Sequence, residues 1–214
     1  MNTPIVGMRL RGGLPQDAPQ IAELIMEAMS AGCCAYFYGE HHTAKEFHTL
    51  LTELCLQTNS QYSFLNTIVA AADAKVLGIA VSYNGAQLHA LRKAFVDGAL
   101  RMFNRDFSGI KDETQAGELY LDSFAVRANY RCKGIGKCLL EATLEKARGL
   151  GIAKVGLLVD EANSSAERLY KLLGFQCVGV SDWGGHGRNC SLYTVNNVIE
   201  VKFKNFHIRN IFGR

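Results

Sequence analysis

The stretch "RCKGIGKCLL", residues 131–140, sets Arg131, Lys133 and Lys137 around Gly134 and Gly136, directly ahead of an apolar helical run. Glycine weakens a helix start and adds nothing to packing, so its presence there needs another reason. Upstream, "ELYLDSFAV" (118–126) alternates as a strand. Glu118, Tyr120, Asp122, Phe124 and Val126 fall on one face, and Leu119, Leu121, Ser123 and Ala125 on the other. The second face reads as buried, and the acids of the first suggest a wet cleft. Downstream, Leu139, Leu140, Thr143, Leu144 and Ala147 recur at helical spacing until Gly149 and Gly151 stop the helix. "AKVGLLVD" (153–160) then reads as a buried strand, which completes a βαβ unit. The glycines sit at its strand-to-helix junction, where helix amides are unpaired and the dipole favours an anion. Without Cβ atoms, a phosphate can reach that backbone, and the flanking cations add charge. The stretch reads as a diphosphate cradle.

Composition sets the frame for that site. A chain of 214 residues, 48% hydrophobic and 20% charged, predicts one packed domain with or without an appendage. The net charge of +3 is too small to argue for nucleic acid, so any anion site is local. Cysteines 33, 34, 55, 132, 138, 177 and 190 show no repeated CxxC spacing, and read as reduced, mostly packed thiols of a cytoplasmic protein. The start lacks the apolar core of a signal peptide, and no run approaches a membrane span. No membrane and no nucleic acid are expected as partners.

The remaining elements follow from periodicity. Residues 7–11 read as a strand, and Asp17 as the N-cap of a helix carrying Ile21, Leu24 and Ile25. Thr43 and Glu46 have capping-box spacing ahead of a stripe of Phe47, Leu50, Leu51 and Leu54. "YSFLNTIVAA" and "VLGIAVSYN" form a hairpin, and residues 86–104 a helix with Leu88, Leu91, Phe95, Leu100 and Phe103 inward. Ser164 and Glu167 cap another helix, stopped by Gly174. Residues 176–195 read as a last hairpin around the glycines at 184–187. The tail 198–214 alternates like an extra strand that covers its own sheet edge, pairs across a homodimer, or frays.

Two nucleotide readings of the cradle fail on spacing. A Walker loop needs GxxxxGK[ST], but Cys138 follows Lys137 here, and a dinucleotide fingerprint needs glycine where Leu139 stands. With its neighbours, "LDSFAVRANYRCKGIGKCLLEATLEKARGLG" resembles the acetyl-CoA-binding motif of the GCN5-related N-acetyltransferase (GNAT) superfamily, with Arg131, Gly134 and Gly136 at its defining [QR]xxGx[GA] positions. "NSSAERLYKLLGF" is similar to the family's N…A…Y…GF segment, through Asn163, Ala166, Tyr170, Gly174 and Phe175.

The resemblance implies a mixed α/β fold. It would have a largely antiparallel twisted sheet of about six to seven strands, helices on both faces, and a splayed strand pair that binds acetyl-CoA. Residues 1–197 would form the acetyltransferase domain, with 86–117 a helical substrate-side insert and 198–214 an extension. Backbone groups of Phe124, Ala125 and Val126 would meet the pantetheine and thioester. The Arg131 position and the amides of Cys132, Lys133, Gly134, Ile135, Gly136 and Lys137 would take the pyrophosphate, and Asn163 the cofactor arm. Tyr170 would protonate the departing thiolate, a modest task for a phenol, so that its loss slows the reaction without abolishing it. The acceptor is a small-molecule or peptide amine. Tyr120 stands where some relatives carry a glutamate, so Asp122, Glu118 or a water relay is left as the base. A silent acyl-CoA-binding module of the same fold is the alternative. No metal is expected, since His41, His42 and His48 lack a ligating arrangement.

Overall fold

The computed structural model describes residues 7–160, 163–181, 190–196 and 198. A seven-stranded sheet runs in the order β1-β2-β3-β4-β5-β7-β6. Its strands are β1 (Arg9–Gly12), β2 (Thr67–Ala72), β3 (Lys75–Asn84), β4 (Glu118–Val126), β5 (Lys154–Asp160), β6 (Gln176–Ser181) and β7 (Cys190–Val195). All neighbours are antiparallel except β4 and β5, joined by the crossover helix α5 (Ile135–Gly149). The helices α1 (Ala18–Met29), α2 (Ala31–Tyr38), α3 (Ala44–Leu56) and α4 (Leu88–Phe103) share one core; α5 and α6 (Ser164–Leu172) border the other.

Local chemistry explains most element ends. The Thr43–Glu46 capping box forms, with Thr43 N and Oγ1 both donating to Glu46 Oε2 at 2.8 Å. Asp17, by contrast, makes no side-chain cap. Its carboxylate is taken by Arg11 at 2.5 and 2.9 Å and by Leu14 N at 2.8 Å, which ties β1 to α1. At α6 the cap is Asn163, whose Oδ1 accepts from Ala166 N at 3.2 Å, rather than Ser164. Glu167 is instead bonded by Tyr193 Oη at 2.6 Å and Lys171. Leu100 is 49% exposed, so the inward face of α4 runs through Leu88, Phe95 and Phe103.

The largest departure from the strand reading lies in β4. Val81 pairs with Ser123 and Ser82 with Leu121, so Asp122 is the extra residue of a β-bulge. The bulge reverses the phase of everything after it. Leu119 and Leu121 share their core with Phe124 and Val126, while Ala125 joins the opposite core. The strict alternation expected over 118–126 therefore holds only up to the bulge. The expected wet face shrinks with it, because Glu118 and Tyr120 are buried at 4% exposure. Thiol packing is also mixed: Cys33, Cys34 and Cys55 are buried, but Cys132 and Cys177 are exposed.

Lys146 fastens α5 to the sheet. Its ammonium donates to Ser82 O at 2.6 Å, Ser82 Oγ at 3.1 Å and Asn66 O at 3.3 Å. Burial lowers it to about 8, since a cation is costly without water or a carboxylate. The folded chain therefore releases this proton before the unfolded chain does. Stability should rise from about pH 8 toward 10.5 by on the order of 3 kcal/mol as the penalty is lifted. Urea midpoints across that range should show the rise in the native chain and not in Lys146→Met.

The last hairpin is present as β6 and β7, with its connection outside the described residues. β6 forms the sheet edge, with Val178 and Val180 56% and 62% exposed. Of the tail only Val198 is described, bonded through N–H to Ala153 O at 3.0 Å; the expected extra strand lies outside the described residues. Among the described residues, no helix is long and apolar enough to cross a membrane, and no group of acids, histidines and cysteines could hold a metal.

Candidate active site

Pairing between β4 and β5 runs from Glu118↔Lys154 to Leu121↔Leu157 and stops. The next residue of β4 is the bulged Asp122, so the two strands part where the ladder is interrupted. Beyond that point Phe124, Ala125 and Val126 pair on the β3 side alone. The Val126 carbonyl is already engaged, by Arg131 Nε at 2.8 Å. The Arg131 guanidinium also lies 3.6 Å from Glu27 on α1. It therefore braces the loop between β4 and α5 as well as charging it.

The cradle itself follows this brace. Cys132 and Gly134 take left-handed backbone, with φ of 57° and 84°, which turns the chain sharply into α5. A glycine at 134 meets that demand without strain. Ile135 is buried in the core and anchors the first turn. No hydrogen bond within the described residues uses the amides of Cys132 through Lys137; the first helical donor is Cys138 N, to Gly134 O at 3.1 Å. A Cβ on Gly134 would meet nothing within 4 Å, so the loop is open on that side. One on Gly136 would stand 3.1 Å from Leu169 and 3.3 Å from Phe124. Lys133 lies over the Tyr130 ring at 5.3 Å, and Lys137 is 3.8 Å from Glu141. Burial raises the Cys138 thiol, which disfavours the thiolate a covalent relay would need.

Tyr170 and Asn163 stand on α6 beside this loop. Tyr170 is packed among Phe124, Phe175 and Tyr193, with ring centroids 5.7 to 6.2 Å away. Burial pushes its hydroxyl well up, so it stays protonated. Asn163 spends Oδ1 on the cap of α6.

The two candidate bases separate clearly. Glu118 is an ion-pair partner: Lys154 lies 2.8 Å away, and Thr114 Oγ1 donates to it at 2.7 Å. It sits on the paired part of the strands, away from the gap. Asp122 lies at the gap and keeps partial solvent access although protein atoms crowd it. Ser123 Oγ donates to its Oδ1 at 2.8 Å, and Gln61 Nε2 to its Oδ2 at 3.2 Å. Burial raises its carboxyl to about 6, against the pull of these bonds. That is a base poised near neutral pH. Gln61, Tyr83 and Glu113, which complete this cluster, carry no local signal in the sequence. Only the pairing of β3 with β4 and the return of the 104–117 loop bring them in. The aromatics of α2 face the core, with Phe37 1% exposed.

A mixed sheet that opens at its central parallel pair, with helices on both faces, is an acetyltransferase-type α/β fold. The chain belongs to the acetyltransferase (GNAT) family, whose family model matches residues 21–175. Spermine/spermidine N(1)-acetyltransferase of Bacillus subtilis (strain 168) is 34% identical over 80 residues, which cover 37% of this chain and 53% of that protein. The chain thus spans about half the length of that relative. A solved acetyltransferase is similar at 25% identity and a TM-score of 0.71, over 88% of this chain and 99% of its own. The NatC complex bound to Gag peptide and CoA shares the fold at 15% identity and a TM-score of 0.54, over 89% and 99%.

Proposed function

We propose that the protein transfers an acetyl group from acetyl-CoA to a primary amine by direct attack in a ternary complex. The observation that carries this reading is the row of unspent amides from Cys132 to Lys137, opening beside the gap between β4 and β5. Helix N-terminal amides of this kind suit a pyrophosphate, and the open space at Gly134 admits one. The Asn163 amide nitrogen and the backbone edge of Phe124 and Ala125 would receive the arm. Bound acetyl-CoA would supply an activated acyl carbon on a good leaving group. A β4 amide near the bulge would polarise the thioester carbonyl.

Asp122 serves as the base in this reading. It takes a proton from the ammonium form of the acceptor and passes it to solvent; the freed lone pair forms the N–C bond, the C–S bond breaks, and the nitrogen then gives its second proton to the same carboxylate. Tyr170 gives its proton to the departing sulfur and regains one from solvent. Family membership supports the chemistry, and a polyamine-acetylating relative supports an amine acceptor, small molecule or peptide. The helix and loop at 86–117, which bring Arg92 and Glu113 toward Asp122, would shape the acceptor side.

The test is free-thiol release from acetyl-CoA against a panel of primary amines. At least one amine should raise the rate above hydrolysis, with equimolar acetylated product. Tight CoA binding with no amine-dependent thiol would favour the silent binding module instead. Tight ATP binding with CoA silent would sink both.

A further inference from the structure

We propose that Tyr83 is a positioning residue that makes Asp122 a better base, by giving its only proton to Glu113 and presenting its oxygen to Asp122. This rests on the reading of Asp122 as the base. Tyr83 Oη lies between two carboxylates, 3.1 Å from Glu113 Oε1 and 3.4 Å from Asp122 Oδ2. A phenol has one proton and cannot serve both.

Which carboxylate receives it follows from what each would lose. Glu113 is 7% exposed, and its Oε2 is held by the Arg92 guanidinium in an ion pair. Tyr83 is the donor to its Oε1 among the described residues. If Tyr83 turned away, a buried carboxylate oxygen would lose its partner, which is costly. Asp122 can spare the proton, since Ser123 and Gln61 already donate to it. The shorter contact agrees. The hydroxyl does not ionise, because burial and the Asp122 charge both push it upward.

With its proton on Glu113, Tyr83 turns a lone pair toward Asp122 Oδ2. That contact is unfavourable to a carboxylate and favourable to a carboxylic acid, which can donate to it. Proton uptake from the amine therefore gains a hydrogen bond: an N–H bond breaks, an O–H bond forms on Asp122, and the new O–H donates to Tyr83. No electron changes hands. Other charged or titratable groups around Asp122 are Tyr62 from the loop before β2, Tyr120 from β4 and Arg92 from α4. α1 also packs on β4, but directs Glu23 and Glu27 to Arg127 and Arg131.

The experiment compares the pH dependence of kcat/KM in the native chain and in Tyr83→Phe. The acid limb, which reports Asp122 in the free enzyme, should move down by about half a unit to one unit when the acceptor is removed. A limb that stays put or moves up overturns the proposal, since a Tyr83 that donated to Asp122 would shift it up on removal. If Tyr83→Phe is too slow to assay, carbon-13 NMR titration of the Asp122 carboxyl in the ligand-free protein reads the same shift. The NMR arm also separates two failures. If Asp122→Asn keeps the native rate and profile, the base assignment falls, while the titration of Asp122 with and without Tyr83 still decides this coupling.

Discussion

Replacing Asp122 by Asn is expected to lower kcat by about 100- to 10,000-fold, the range that a positioned general base contributes, with CoA affinity unchanged. An alkyl ammonium ion with an ordinary pKa of about 10.4 holds only a small neutral fraction at pH 7, so a base near neutrality has much to supply. The amide keeps the size of the carboxylate, and with its oxygen in place of Oδ2 it still accepts from Gln61 while its NH2 meets the Ser123 hydroxyl. The variant should fold. It should even be the more stable protein above about pH 6. In the folded chain the Asp122 carboxyl is raised to about 6 by burial, so stability is full below its unfolded value near 3.8 and declines as pH climbs between the two. Thermal melts at pH 7 and pre-steady-state acetyl transfer check both halves. A rate within threefold of the native enzyme would remove Asp122 from the chemistry.

The second large effect concerns Gly136. Asp at that position should weaken CoA binding by about 100-fold, as a carboxylate beside the row of amides repels the pyrophosphate. Its Cβ would press on Leu169 and Phe124 at 3.1 and 3.3 Å, contacts that flexible side chains can relax. An acid in the first turn also favours α5 through its dipole. The melting temperature should therefore stay within a few degrees while calorimetry against CoA loses its signal. Gly136→Ala, with the same Cβ and no charge, should lose far less. Equal CoA affinity in the native chain and Gly136→Asp would mean that the pyrophosphate binds elsewhere.

The turn into α5 was legible in the sequence because every part of it is local. Arg131, Gly134 and Gly136 and the helix that follows lie within one stretch, and glycine at a helix start does little for the helix itself. The βαβ unit was legible for the same reason, through periodicities of two and 3.6. The surroundings of the two candidate bases were only half legible. Glu118 and Asp122 are both acids of one strand, and nothing in "ELYLDSFAV" reveals that Lys154 claims the first. The bulge is likewise invisible along β4, because a surplus residue exists only relative to the partner strand. Tyr83 looked like an ordinary letter of a hairpin and Gln61 stood just outside it, yet they touch Asp122 across 39 and 61 positions of chain. Such contacts are products of topology, not of spacing. Asp17 does stand at the N-cap of α1, with its carboxylate spent on Arg11 and Leu14, while at α6 the neighbouring Asn163 takes the cap from Ser164.

The extra residue in β4 carries a penalty and a benefit that cannot be separated. Pairing it like any other strand residue would restore strict alternation along β4 and move Phe124 and Val126 out of the core they share with Leu119 and Leu121. Sequence changes that lengthen or shorten this strand should thus be far less tolerated than substitutions within it. Any effort to harden the protein by regularising its sheet would start by turning Ala125 away from the core it now joins.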